Sequence, residues 1–272
     1  MQILLTPLCD IIYLMENEIK DEELNIDEVS KEDIVQETVE VLEGQVVDED
    51  AAEEEQDLTL QLIWQGILSL IKNSPVTMLL VLINVIVFIV LEIGGSTLDG
   101  DYMLSHGAMN PALMLYEGQW YRLITAMFMH FGGEHLFNNM LLLICIGRLV
   151  EKAVGSTKFL SIYLLSGFIG GFVSFFWCML NSRNNIVCGA SGAIFGIVGA
   201  MIIVIIVHKG RYEGITAKQI ILMALLILYF GFVSVGTDNA GHVGGLIWGV
   251  ILTLFIYGIP YLIKHRKNNI IP

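Results

Sequence analysis

Six stretches of the chain are apolar over roughly the thickness of a membrane, and polar or glycine-rich segments separate them. They cover residues 76–91, 136–150, 159–180, 192–207, 220–235 and 243–263. A helix needs about 20 residues to cross ~30 Å of hydrocarbon, so the shorter stretches must borrow flanking residues. Upstream, residues 60–71 space their apolar side chains near a helical period around Trp64. That suits a helix lying on the membrane surface, or an extension of the first span. The pattern predicts an all-α membrane protein built as a six-transmembrane-helix bundle.

Composition agrees and adds a boundary. With 55% hydrophobic residues and a mean hydropathy of +0.69, the 272 residues are too apolar for a soluble domain. The net charge of -14 misleads, because charge is segregated. Residues 1–60 hold 20 of the 28 acidic residues against Lys20 and Lys31, a net of -18. The remainder holds 8 acidic and 12 basic residues, a net of +4. A run this acidic belongs in water and resists forming a core. Four regions are therefore expected: an acidic, partly disordered N-terminal segment (1–60), an interfacial helix or linker (61–75), a six-helix domain (76–265) and a short tail (266–272). Residues 1–15 lack a basic region and a small-residue cleavage site, so no signal peptide is expected. Cys9, Cys145, Cys178 and Cys188 show neither CxxC nor zinc spacing, so neither a metal nor structural disulfides are expected.

Orientation follows from the basic residues. Counting six spans, ten Lys and Arg fall on the side that holds the N-terminus, and only Arg122 and Arg183 on the other. The expectation is a multi-pass protein of the plasma (inner) membrane with both termini in the cytosol. The lipid bilayer is then its solvent, and no nucleic-acid partner is expected.

The candidate chemistry gathers at one depth. Ser191 opens the fourth span inside Gly189-Ala190-Ser191-Gly192, and His242 opens the sixth inside Gly241-His242-Val243-Gly244-Gly245. Both spans enter from the outer side, where His135 and Asn139 also begin the second span. Polar side chains at membrane depth are costly and face the bundle interior, which favours a functional role. A serine with a histidine supplies a nucleophile and its base. His135 and Asn139, four residues apart, share one helix face and can donate to an oxyanion. No carboxylate is obviously placed to orient His242, since Asp238 falls in the preceding loop, so a dyad is expected. Gly192, Gly196 and Ala200 in one helix, and Gly241, Gly245 and Gly249 in the other, repeat every four residues and let backbones approach. Phe195 shares the Ser191 face, where spacing alone lets its ring either stack on His242 or face lipid.

These residues resemble the rhomboid family of intramembrane serine proteases. The likeness is carried by Gly107-Ala108-Met109-Asn110-Pro111, by Gln119-Trp120-Tyr121-Arg122-Leu123-Ile124-Thr125 with Phe128 and His130, and by His135 to Asn139. It continues through Glu151 with Gly155, Gly189 to Ala193, and Asn239 to Gly245, and spans about residues 70–265. The resemblance implies Ser191 as nucleophile, His242 as general base, and His135 and Asn139 as oxyanion partners. Gly189, Phe195 and Gly245 would support them. It also implies cleavage of single-pass transmembrane proteins near the outer boundary, without a cofactor, and an embedded loop over residues 94–134. The Trp-Arg pair of that loop is represented here by Tyr121-Arg122, preceded by Trp120, which departs from the family pattern. Span 5, with Phe230, Gly231 and Phe232 near its outer end, is the expected entry for a substrate helix beside span 2.

Other readings are weaker. A zinc protease would want HExxH, which Glu134-His135 does not begin. A transporter would favour internal repeats and charges at the midplane. A catalytically inactive rhomboid-like protein that binds membrane clients remains an alternative, although this chain keeps both the serine and the histidine.

Overall fold

The computed structural model describes residues 61, 64–65, 68–233 and 236–268. The acidic segment 1–60 and the terminal residues 269–272 lie outside them, as does Cys9. The described elements are α1 (Pro75–Gly94), α2 (Gly100–Ser105), α3 (Pro111–Tyr116) and α4 (Arg122–Thr125), the last followed by a 3-10 turn. Then come α5 (Gly132–Leu142), a π turn (Leu143–Gly147), α6 (Arg148–Val154), α7 (Ser156–Leu180) and α8 (Ser191–Val207). A small antiparallel hairpin of β1 (Arg211–Tyr212) and β2 (Ile215–Thr216) leads into α9 (Ala217–Val233). The domain ends with α10 (Asn239–Thr253), a second π turn (Leu254–Gly258) and α11 (Ile259–Asn268).

Three of these helices are long and apolar enough to cross a membrane: Pro75–Gly94, Ser156–Leu180 and Asn239–Arg266. Ser191–Val207 and Ala217–Tyr229 are apolar but shorter. Each element begins or ends a few residues beyond the hydropathy limits, because capping rather than apolarity decides where a helix starts. The expected second span is instead α5, a π turn and α6 in succession. The fragments of residues 61–73 that are described are helical, with Trp64 exposed. Ser74 interrupts them with φ -145° and ψ 58°, and Pro75 then opens α1, where its missing N–H costs nothing. The backbone thus leaves helical geometry at Ser74, although the Ser74 N–H still donates to the Leu70 carbonyl at 2.9 Å.

One buried carboxylate ties the chain's ends of helix together. Glu151, in the first turn of α6, accepts hydrogen bonds from the Val76 N–H (3.0 Å), the Thr77 N–H (2.8 Å) and the Thr77 hydroxyl (2.7 Å). It also accepts from the Ser156 hydroxyl at 2.7 Å. An anion at the first turns of α1 and α7 satisfies donors that have no partner within those helices. Gly155, at φ +87°, makes the turn between α6 and α7 that brings Ser156 back to it. Glu151→Ala is expected to lower stability by roughly 2–5 kcal/mol, because it strands buried donors. Thermal denaturation in detergent measures this, and an unchanged midpoint would contradict the assignment.

The loop before α5 is held by another buried charge. Arg122 donates to the carbonyls of Leu104 and Ala108, each at 2.7 Å, and its Nε to Gln119 Oε1 at 2.7 Å. Tyr121 is exposed, whereas Trp120 packs edge-on against Phe175 of α7 with centroids 5.2 Å apart. Trp120 thus contacts α7 while Tyr121 stays beside the arginine, its ring 5.6 Å from the Arg122 guanidinium and its hydroxyl donating to Gln119 Oε1 at 3.3 Å. Met109 and Val187 exchange backbone hydrogen bonds at 2.8 and 2.9 Å, which fastens the loop to the strand-like approach to α8.

Helix α8 is the centre of the bundle, with thirteen of its seventeen residues buried. Its glycines and those of α10 meet backbone to backbone. A Cβ on Gly245 would run into the carbonyl of Gly192, and one on Gly249 into the carbonyl of Gly196. Across from both, Gly170 of α7 leaves only 2.8 Å between a would-be Cβ and the carbonyl of Gly241. The spacing of four thus places two ridges in register, and α7 closes the third side.

Candidate active site

The site is built where α8 and α10 begin. Gly189 has φ +141°, a left-handed conformation that side chains rarely adopt, and it turns the chain into α8. The turn is pinned by the Gly189 N–H donating to the Ala126 carbonyl at 2.9 Å. The Ala190 N–H donates to Nε2 of the fully buried His130 at 3.3 Å. That bond leaves the His130 proton on Nδ1. His130 thus shapes the turn that presents Ser191.

Helix α10 starts equally deliberately. Three glycines fall among its first seven residues, and each costs about 1 kcal/mol relative to alanine. Asp238 counters this as N-cap: its carboxylate accepts the Gly241 N–H at 3.0 Å and its carbonyl accepts the His242 N–H at 3.1 Å. Such a cap is worth about 1 kcal/mol. Burial pushes the Asp238 carboxyl up, opposed by the hydrogen bond from Gly241.

Between these two turns, His242 Nε2 lies 2.8 Å from the Ser191 hydroxyl oxygen. Phe195, one turn along α8, stacks on the His242 ring with centroids 4.5 Å apart and planes 15° from parallel. The aromatic face keeps the imidazole from rotating away. His242 is only 8% exposed, and among the described residues its Nδ1 has no hydrogen-bond partner. Among the described residues no carboxylate bonds it, and Asp238 is committed to the helix backbone.

His135 and Asn139 lie alongside. A Cβ at Gly189 would stand 2.9 Å from His135 Cε1 and 3.5 Å from the Ser191 hydroxyl oxygen, so the His135 ring faces the serine turn. The Asn139 amide donates to the His135 carbonyl at 2.9 Å. An amide carries two N–H donors, which leaves one for another partner. The His130 and His135 rings meet edge to face at 5.1 Å. A cavity of about 440 Å³ is lined by Ser191, His242, His135, Asn139, Gly189 and Phe195 among others, and Asp238 also lines it. Gly245 does not; it acts through the contact with Gly192. Among the described residues, no three His, Cys, Asp or Glu side chains gather as metal ligands would.

The Rhomboid domain family model matches residues 117–259, more than half of the chain and all of the cavity residues named above. The chain belongs to the rhomboid family. Among its relatives is Rhomboid protease GluP of Bacillus subtilis (strain 168), 35% identical over 184 residues, which are 68% of this chain and 35% of GluP. Rhomboid protease AarA of Providencia stuartii is 33% identical over 211 residues, covering 69% of this chain and 74% of AarA. RHOMBOID-like protein 5 of Arabidopsis thaliana is 35% identical over 181 residues, covering 60% of this chain and 56% of that protein. The chain thus spans about a third of GluP and just over half of RHOMBOID-like protein 5.

Sequence reasoning brought Ser191, His242, Phe195, His135 and Asn139 to one end of the bundle, and in the structure they share one cavity. It missed what Asp238 and Gly170 do. The Asp-x-x-Gly spacing before an apolar helix is an N-cap signal that was present in the sequence. Gly170 carries no such signal, because only the packed neighbour shows why a side chain is excluded.

Proposed function

We propose that this rhomboid is an intramembrane serine endopeptidase that uses a Ser191–His242 dyad and needs no cofactor. The contact of 2.8 Å between hydroxyl and imidazole, clamped by Phe195, carries the reading. Ser191 donates its proton to His242 Nε2 as its oxygen attacks the scissile carbonyl carbon. His242 then returns that proton to the leaving amine. In the second half, His242 draws a proton from water as its oxygen attacks the acyl-serine, and then returns that proton to the departing Ser191 oxygen, which frees the carboxylic acid product and restores the dyad. The oxyanion formed in each half is met by the free N–H of Asn139, by His135 and by the Ser191 backbone N–H.

The membrane reading supports where this happens. Six crossings are assigned to α1, α5 with α6, α7, α8, α9 and α10 with α11, with both termini on the inner side. At about 26 Å, the seventeen residues of α8 fall short of a ~30 Å core. Its far end meets an aromatic girdle in which His208 packs against Tyr212 (4.7 Å) and Tyr261 (4.8 Å), and Tyr261 stacks on His265 (4.0 Å). Such a girdle suits the headgroup level. Anchored there, α8 leaves Ser191 just below the outer surface, where water reaches it and a bilayer-embedded peptide bond can be presented. The substrates are then transmembrane segments of single-pass proteins, entering beside α9.

Cleavage of a single-pass reporter in proteoliposomes tests the reading. Two fragments are expected, with new termini near the outer boundary of the segment. A reporter bound but never cut would favour the client-binding alternative. Asn139→Ala is expected to lower kcat about 100-fold to 1000-fold with little change in folding. Undiminished turnover would remove Asn139 from the oxyanion role.

A further inference from the structure

We infer that Asp238 is a positioning residue for His242, acting as the clamp that fixes where α10 begins. The inference rests on the serine–histidine reading above and assigns to that site a group outside the dyad and its oxyanion partners.

Three observations converge on it. The carboxylate takes the Gly241 N–H at 3.0 Å and the Asp238 carbonyl takes the His242 N–H at 3.1 Å, so the residue grips the first turn from both ends. The histidine lies within that turn, so any fraying there moves its ring directly. Secondly, a Cβ on Gly241 would run into the Asp238 carboxylate oxygen Oδ2. The glycine makes room for the cap, and the two residues form one device. Thirdly, the turn has little else to hold it, since Gly241, Gly244 and Gly245 are weak helix formers. Gly244 is needed for close approach to Val173 of α7 and Gly245 for close approach to Gly192 of α8, so the helix cannot be strengthened by replacing them.

The carboxylate's charge is not what the position requires. Among the described residues His242 Nδ1 has no hydrogen-bond partner, and Asp238 bonds backbone instead of imidazole. What matters is an acceptor of the right length at the N-cap. Asparagine and serine supply one, and alanine does not.

The test uses the full chain in proteoliposomes, with cleavage of a single-pass reporter and labelling by a fluorophosphonate probe. Asp238→Ala is expected to lower kcat and the labelling rate about tenfold with KM nearly unchanged. Asp238→Asn is expected to restore both to within about twofold of the wild type, with the pH dependence of kcat/KM unmoved. Asparagine as slow as alanine would overturn the inference in favour of a charge role, and alanine as fast as wild type would overturn it outright. Should Asp238→Ala fail to fold, the Gly241→Ala variant decides. It is expected to slow labelling at least about fivefold alone, and less than about twofold when combined with Asp238→Ser, whose shorter side chain vacates the space. Equal costs in both backgrounds would overturn the inference. A wild-type protein that neither labels nor cleaves would instead overturn the proposed function, so the two failures are distinct.

Discussion

Ser191→Ala is expected to lower cleavage of a single-pass transmembrane reporter on the order of ten-thousand-fold or more, with the protein still folded. In the proposed mechanism this hydroxyl forms the acyl intermediate, and among the described residues it is the hydroxyl that lies on His242 Nε2. His242→Ala should be about as severe, because a serine without its base is a poor nucleophile. Combining the two should add little, since the residues act as one unit. The loss of a small hydroxyl leaves the α8–α10 packing untouched, so the thermal midpoint should stay near that of the wild type. Fragments at undiminished yield from Ser191→Ala would end the enzyme reading.

Gly249→Ala is expected to cost both stability and activity, by a different route. Its added methyl would meet the Gly196 carbonyl, a backbone atom that cannot rotate away. Overpacking a core costs about 1–3 kcal/mol even where side chains can yield. Here relief requires the two helices to separate along their length. Membrane helices are held by close van der Waals packing rather than by hydrophobic burial, so a wedge also removes the force that joins them. The same separation pulls His242 from Ser191. The expected result is a lower thermal midpoint together with at least about tenfold slower fluorophosphonate labelling. Ile247→Ala and Phe255→Ala, on exposed faces of the same helix and its continuation, should shift stability by less than about 0.5 kcal/mol. If Gly249→Ala matches these controls, the backbone contact is not what holds the pair.

Much of this was legible before any coordinates, for physical reasons that differ by feature. The apolar runs had to be helices, because unpaired backbone is forbidden in hydrocarbon. The glycine spacing in Gly245 and Gly249 announced a face, and the structure seats that face on Gly192 and Gly196. The Ser191–His242 approach followed from two polar groups placed at the same end of neighbouring helices. Helix limits were less legible, because caps such as Asp238 and the remote carboxylate of Glu151 set them, and Glu151 acts across 74 residues of sequence on Thr77. The small hairpin 211–216 and the short helices 100–125 carry no membrane-scale hydropathy signal. The upstream segment was read as either an interfacial helix or part of the first span, and the backbone leaves helical geometry at Ser74 between the two. Expectations for the acidic segment 1–60, and for the side chains of Phe230 and Phe232, fall on parts of the chain outside the described residues.

The most direct measurement is peptide mapping of the fluorophosphonate adduct by mass spectrometry, on protein labelled in liposomes. The account predicts a single modified residue, Ser191, with the adduct absent from His242→Ala. Label on any other side chain, or equal labelling without His242, would contradict it.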